Sequence, residues 1–236
     1  MALYRNRIVI KIGTSTLMNE TGRTDLRNVE RLVRVLADVS GMGYEVIMVS
    51  SGAIAVGANK LMLDGRPTDM NMKLAAAAVG QCSLLHLYDK IFEEYDKVVA
   101  QVLMSAEDAG DPEGRENLTA TFDTLLQLGV IPIVNENDSV RSTEIESEEQ
   151  VFGDNDMLSA VVAELTKASR LVILSDTDGR DARGSRRGKA GLATKMAAAG
   201  RAAGSGIETY IVKGKDPERI YDVIEGRTAP VSGDGA

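Results

Sequence analysis

The chain of 236 residues holds one cysteine, Cys82, and one histidine, His86. A single thiol forms no internal disulfide, which excludes a secreted scaffold held together by disulfides. Cys82 lies in an Ala- and Leu-rich helical pattern with His86 one turn on. Both read as structural, with Cys82 buried, because two such ligands without others make a poor zinc site. One histidine also argues against a Ser–His–Asp triad. No apolar run reaches the roughly 18 residues that span a bilayer. Met1–Arg7 is polar and lacks the basic segment and apolar stretch of a signal peptide. A cytoplasmic protein without membrane association is therefore expected. The formal net charge is −8 and no basic stripe is present, so nucleic acid is not an expected partner. No Walker A pattern occurs: Gly188-Lys189 is followed by Ala190, and Gly214-Lys215 by Asp216. The first strand-like run is not followed by G-x-G-x-x-G, and H-E-x-x-H and G-x-S-x-G are absent.

What is present is an alternation. Arg7–Gly13 (RIVIKIG), Glu45–Val49, Val98–Met104, Val130–Val134 (VIPIV), Arg170–Leu174 and Glu208–Val212 read as short buried strands. Between them, Asn28–Gly41, Met72–Glu94, Leu118–Leu128, Asn155–Thr166, Ala193–Ala203 and Pro217–Ile224 carry helical spacing. Gly41 or Gly43 stops the first of these, and Gly129 closes the third. Apolar strands alternating with amphipathic helices predict an α/β fold: a mostly parallel central sheet covered on both faces. Ser142–Gln150 (STEIESEEQ) and Gly179–Gly191 (GRDARGSRRGKAG) break the pattern; the first reads as a loop or hairpin and the second as a mobile loop. Thr228–Ala236 has no periodicity and reads as a frayed tail.

Ligands of such sheets bind beyond the carboxyl ends of the strands. The first strand delivers Lys11-Ile12-Gly13-Thr14-Ser15, with a cation and a glycine that lets backbone approach a ligand closely. The second delivers Ser50-Ser51-Gly52-Ala53-Ile54 into a helix start. This is either an anion cradle or a Ser-capped helix after a glycine turn. After VIPIV come Asn135-Glu136-Asn137-Asp138, and Gly153-Asp154-Asn155-Asp156 opens another helix with more polar groups than capping needs. The fifth strand delivers Ser175-Asp176. Gly191-Leu192-Ala193-Thr194-Lys195 is read as a helix start, where a first-turn lysine opposes the helix dipole and an anionic ligand would relieve the conflict.

In this order KIGTSTL, VSSGAIAVG, AAVGQ, IVNENDSV, FGDND, LSDTDG and GLATK resemble the amino acid kinase family, from about Arg7 to Glu225. The resemblance implies an α/β/α sandwich over residues 1–227, with 228–236 a tail and no C-terminal PUA domain. It implies ATP with Mg²⁺ and, within the family, transfer of the γ-phosphate to the γ-carboxylate of L-glutamate, the first step of proline biosynthesis. By the same resemblance, Lys11 and Lys195 flank the transferring phosphoryl group, Gly13 and Gly52 offer it backbone N–H groups, and Asp156 holds the two lysines. Ser51, Gly52, Ala53, Asp138 and Asn155 bind glutamate, with Asp138 facing its ammonium. Lys11, Gly13, Ser175, Asp176, Lys189, Ala190, Gly191, Leu192, Ala193, Thr194 and Lys195 contact ATP. Proline as a feedback inhibitor and a homo-oligomer, with Met72–Glu94 a candidate interface, are further expectations. The sequence departs from the family between Gly179 and Gly191, where only 11 residues intervene, and in GKAGLATK, where Lys189 and Ala190 replace the usual threonine and glycine. Kinases of acetylglutamate, aspartate or nucleotide monophosphates share the fold, and so would a binding protein without turnover. A carboxylate suited to an ammonium in NEND favours an amino acid acceptor.

Overall fold

Side chains that alternate along a strand need two apolar faces when both sides of the sheet are covered. Strand β1 (Tyr4–Ile12) meets that demand. Its Ile8, Ile10 and Ile12 enter one core, and Val9 enters the other. The same parity holds in β2 (Glu45–Ser50), with Val46 and Met48 on one face and Ile47 and Val49 on the opposite face. A computed structural model describes residues 3–138, 155–176 and 186–231, with the side chains of 106 and 186–190 outside that set. The loop read at Ser142–Gln150, Gly153, Asp154, and most of the loop read at Gly179–Gly191 lie outside the described residues.

The remaining elements, in chain order, are α1 (Thr14–Leu17), α2 (Leu26–Gly41), α3 (Ala53–Lys60), α4 (Met70–Glu93) and β3 (Val99–Met104). They continue with α5 (Ala106–Gly110), α6 (Pro112–Gln127), β4 (Ile131–Glu136), α7 (Asn155–Leu165) and β5 (Ala168–Ser175). The last are α8 (Arg186–Gly204), β6 (Glu208–Lys213) and α9 (Arg219–Ile224). The six strands form one sheet in the order β3-β4-β2-β1-β5-β6, and every pairing is parallel. Helices α2, α4 and α9 cover one face through Leu32, Leu36, Tyr88, Phe92, Ile220 and Val223. Helices α6, α7 and α8 cover the other through Phe122, Leu126, Leu158, Val162, Ala198 and Ala202. The predicted three-layer α/β/α arrangement is the observed one.

Differences from the sequence reading have local causes. Helix α2 starts earlier because Asp25 caps it, accepting a hydrogen bond from the Asn28 amide. Helix α5 was not anticipated; a capping box between Ser105 and Asp108 stabilises its single turn. Helix α8 begins at Arg186, so the segment read as the end of a loop is helical; glycine lowers helix propensity without forbidding helix. Cys82 is exposed, not buried, because α4 turns it, with exposed His86, away from the sheet and toward a groove along β3. Val231, in the stretch read as frayed, donates its amide to the Thr209 carbonyl and packs on the α7/α8 core.

One contact fixes how α3 and α4 pack. Helices α3 and α4 touch backbone to backbone: a Cβ at Gly57 would overlap the Ala76 carbonyl, and one at Gly80 the Ala53 carbonyl. Because flexible side chains are absent from this seam, the clash cannot be relieved locally. Gly80→Ala is expected to lower unfolding free energy by about 3 kcal/mol, the upper range for overpacking, read as a fall in urea midpoint.

Candidate active site

The site lies where the chain reverses direction across the sheet. From β1 the chain moves toward β2, and from β5 it moves the other way, toward β6. The crevice beyond the carboxyl ends of β1 and β5 is thus the topological switch point, the expected ligand position. A cleft of about 580 Å³ lies there, lined by Thr14, Ser15, Ser175, Asp176, Asp25 and Lys215 among others.

Strand parity puts Lys11 on the same face as Val9, under α7. Lys11 is only 4% exposed, and Asp156, in the first turn of α7, is fully buried. The Lys11 ammonium lies 2.6 Å from Asp156 Oδ1. From α8, Lys195 Nζ lies 3.4 Å from Asp156 Oδ2 and donates to the Gly191 carbonyl at 2.9 Å. The Thr194 hydroxyl donates to Asp156 Oδ2 at 2.9 Å. Three elements distant in sequence therefore place two cations on one anion. The cluster carries a net positive charge in a largely desolvated position, and an anionic ligand would complete it.

Burial pushes the Asp156 carboxyl upward, but the charge and hydrogen bond of Lys11, the charge of Lys195 and the Thr194 hydroxyl outweigh it. The net effect holds the group below the ordinary aspartate value. A depressed folded-state pKa stabilises the fold above the unfolded-state value of about 3.9, and this is lost as pH falls through the folded value. The stability difference between wild type and Asp156→Asn is expected to stay constant from pH 8 to about pH 5. It shrinks below about pH 4, as urea unfolding across that range would show.

Gly13 caps α1 and sits beside the lysine: a Cβ there would lie 3.2 Å from the Leu174 carbonyl and 3.8 Å from Lys11 Nζ. Gly52 caps α3 with φ +95°, a conformation that strains any other residue. The Ser51 amide donates to the Ile12 carbonyl, which ties the turn after β2 to the end of β1.

Beside the lysines lies a polar relay. Asn155 Nδ2 donates to the Ser50 carbonyl at 3.0 Å, the Ser51 hydroxyl at 3.1 Å and Asn135 Oδ1 at 3.0 Å. Asn135 Nδ2 donates in turn to Gln81 Oε1 of α4 at 2.7 Å. Asp138 lies two residues beyond β4, where the Asn137 amide donates to the Met104 carbonyl.

The structure thus brings together Lys11, Gly13, Asp156, Gly191, Thr194 and Lys195 in one cluster, and Ser51 with Asn155 in an adjoining one. Ser175 and Asp176 lie across the cleft, the Ser175 hydroxyl donating to Asp176 Oδ1 at 3.0 Å. Lys195 is the tenth residue of α8, not a first-turn residue, so it does not oppose the dipole; Asp156 compensates its charge. Leu192 packs toward the α7/α8 core. Lys189 is the fourth residue of α8 and its N–H is among the four left free at the helix start, whereas the amides from Ala190 onward fall inside the helix.

Sequence reading overlooked Lys215, which lines the cleft and donates to Asp25 Oδ2 at 2.8 Å and the Met18 carbonyl at 2.9 Å. The rule applied to the other strand ends would have found it, since Gly214-Lys215 follows β6 directly. Gln81 falls outside that rule, in the middle of a helix, and the signal available was the AAVGQ motif that ends on it.

The sequence profile of the amino acid kinase family matches residues 6–179. This chain belongs to the amino acid kinase family. A relative from Clostridium perfringens named glutamate 5-kinase is 44% identical over 248 aligned positions, covering 93% of this chain and 92% of the relative. One of the same name from Listeria welshimeri is 43% identical, covering 93% and 90%. The alignment exceeds the 236 residues of this chain, so the relatives carry internal residues that this chain lacks. A solved carbamate kinase from Giardia lamblia bound to AMP-PNP superposes with a TM-score of 0.65 at 14% identity, covering 96% of this chain and 98% of that one. That likeness concerns the fold. Among the described residues, no helix is long and apolar enough to cross a membrane.

Proposed function

We propose that the chain transfers the γ-phosphate of ATP to the γ-carboxylate of L-glutamate, giving L-glutamyl 5-phosphate and ADP, the first step of proline biosynthesis. The observation that carries this reading is the pair Lys11 and Lys195 held on buried Asp156, next to the Ser51–Asn155 relay. The relatives named glutamate 5-kinase support the choice of acceptor.

A carboxylate oxygen attacks the γ-phosphorus, a new P–O bond forms, and the bond to the ADP oxygen breaks. The acceptor is already ionised at neutral pH, so no general base is needed, in keeping with a site that holds no histidine. What the reaction needs is in-line positioning and neutralisation of charge on the transferring group. Lys11 and Lys195 supply the positive charge. Asp156 fixes both ammoniums without bonding the substrate, since its oxygens are occupied. Ser51, Gly52, Ala53, Asp138 and Asn155 hold glutamate, with Asp138 facing its ammonium. Ser175, Asp176 and the start of α8 from Lys189 hold the nucleotide in the cleft between β1 and β5.

Mg²⁺ accompanies the nucleotide in this reading. Asp156 is too committed to ligate it, whereas Asp176 is an exposed carboxylate on the cleft wall, suited to an ion that keeps several waters. When bound, the ion neutralises charge on the phosphate oxygens. The cytoplasm, a homo-oligomer and inhibition by proline belong to the same reading. Proline at millimolar levels is expected to raise the apparent KM for glutamate, and an unchanged KM rejects that part.

The test is an acceptor panel followed by ADP release: L-glutamate, N-acetylglutamate, aspartate, carbamate and UMP. Turnover with glutamate alone is expected. Turnover with UMP and none with glutamate rejects the assignment. The family match ends at residue 179, where the short segment begins. Binding of ATP and glutamate without turnover would therefore favour a binding protein of the same fold.

A further inference from the structure

We infer that Gln81 of α4 is a positioning residue for the acceptor: by accepting from the Asn135 NH₂ it holds the Asn135–Asn155 amide relay in the polarity that the Ser50 carbonyl dictates, so that Asn155 presents its carbonyl oxygen to the ammonium of an amino acid. This rests on the placement of the acceptor beside Ser51 and Asn155.

The polarity follows from one group that cannot reverse. The Ser50 backbone carbonyl only accepts, so the Asn155 amide must turn its NH₂ toward it, at 3.0 Å. The same NH₂ faces Asn135, which must therefore offer its oxygen, also at 3.0 Å. That turns the Asn135 NH₂ the other way, into a position 3% exposed, where an unpartnered donor is costly. Gln81 Oε1 accepts from it at 2.7 Å, the shortest bond of the relay. With the two hydrogens of its NH₂ shared among three protein acceptors, Asn155 has its carbonyl oxygen left for a ligand donor. An ammonium is such a donor; a carboxylate or phosphate is not.

Gln81 is reached from outside the substrate position. It projects from a helix that covers the sheet and also lines the groove between α4 and β3. Substitution there alters the relay without adding bulk beside the lysines. Without an acceptor at position 81, the Asn135 amide gains by rotating its NH₂ toward another oxygen. That withdraws its own oxygen from Asn155 and leaves the Asn155 amide held only by Ser50 and Ser51, so its carbonyl oxygen is less firmly aimed.

Three variants separate the acceptor role from simple packing. Gln81→Glu keeps the accepting oxygen, Gln81→Met keeps the length without it, and Gln81→Lys presents only donors. Steady-state kinetics are measured with glutamate, with glutarate (which lacks the ammonium) and with ATP varied separately. Gln81→Met is expected to raise KM for glutamate about tenfold and Gln81→Lys more, with KM for ATP within twofold of wild type in both. Preference for glutamate over glutarate falls in step, and Gln81→Glu retains near-normal values. If Gln81→Met is too unstable to assay, Gln81→Lys is read by the same criteria. Unchanged KM for glutamate in the Met and Lys variants, equal rises in both KM values, or failure of the Glu variant to retain activity overturns the role of Gln81. The wild-type enzyme in the same assay keeps the two readings apart: no turnover with glutamate rejects the acceptor assignment itself.

Discussion

Lys11→Met and Lys195→Met each lower kcat by about 10²–10³-fold, the loss typical of removing one donor from a site that stabilises transition-state charge. Methionine preserves most of the length and apolar stem of lysine, so the change removes charge more than volume. KM for glutamate moves little, because charge on the transferring oxygens matters more in the transition state than in the bound ground state. The variants differ in stability. Lys11 is 4% exposed and lies in the central strand, so its loss leaves Asp156 with Lys195 as its one nearby cation, beside the Thr194 hydroxyl. Lys195 enters from α8 at 3.4 Å, and its removal leaves the closer 2.6 Å pair intact. Urea unfolding is therefore expected to show the larger fall for Lys11→Met. Either variant with glutamate-dependent ADP release within threefold of wild type contradicts the assigned role.

Asp156→Asn is the second large effect, and it strikes folding and turnover together. The aspartate is fully buried between two ammoniums. Removing it leaves two cations without their anion, which costs about 3–5 kcal/mol for a broken buried pair. An Asn side chain cannot restore the arrangement, since its NH₂ directs a donor at one of the two lysines. Activity falls at least as far as in either lysine variant, because both ammoniums lose their fixed position. The energetic claim has a separate check. Asp156→Asn combined with Lys11→Met should be more stable than Asp156→Asn alone, since the second change removes one uncompensated cation. Additive losses in this double variant would show that the cluster is not an electrostatic unit.

How much of this was legible in the sequence differs from element to element. The strands were legible because runs such as RIVIKIG are apolar on both parities, and only a sheet covered on both faces uses such runs. Lys11 stood out for the complementary reason: a charge at the end of that run has to meet a partner. Its partner Asp156 was named through family resemblance, since helix capping explains an aspartate at that position equally well. The start of α8 was misread because Gly188 and Gly191 looked like loop residues, while helix continues through both. Cys82 was placed inside because α4 is apolar almost all round, and periodicity does not say which side of such a helix meets the sheet. Gln81 was legible only as the end of the AAVGQ motif: nothing in its sequence neighbours hints at an asparagine 54 positions away, and only the fold joins them.

The central claim is that two lysines on one buried aspartate serve transfer to a carboxylate. Its most direct measurement is hydroxylamine trapping of the product, with the purified chain, ATP, Mg²⁺ and L-glutamate. An acyl phosphate gives a hydroxamate, which colours with added iron(III), whereas a phosphate ester or simple ATP hydrolysis gives none. Hydroxamate is expected to require both glutamate and ATP and to fall about 10²–10³-fold in Lys195→Met. ADP release with glutamate present but no hydroxamate, or hydroxamate undiminished in Lys195→Met, contradicts it.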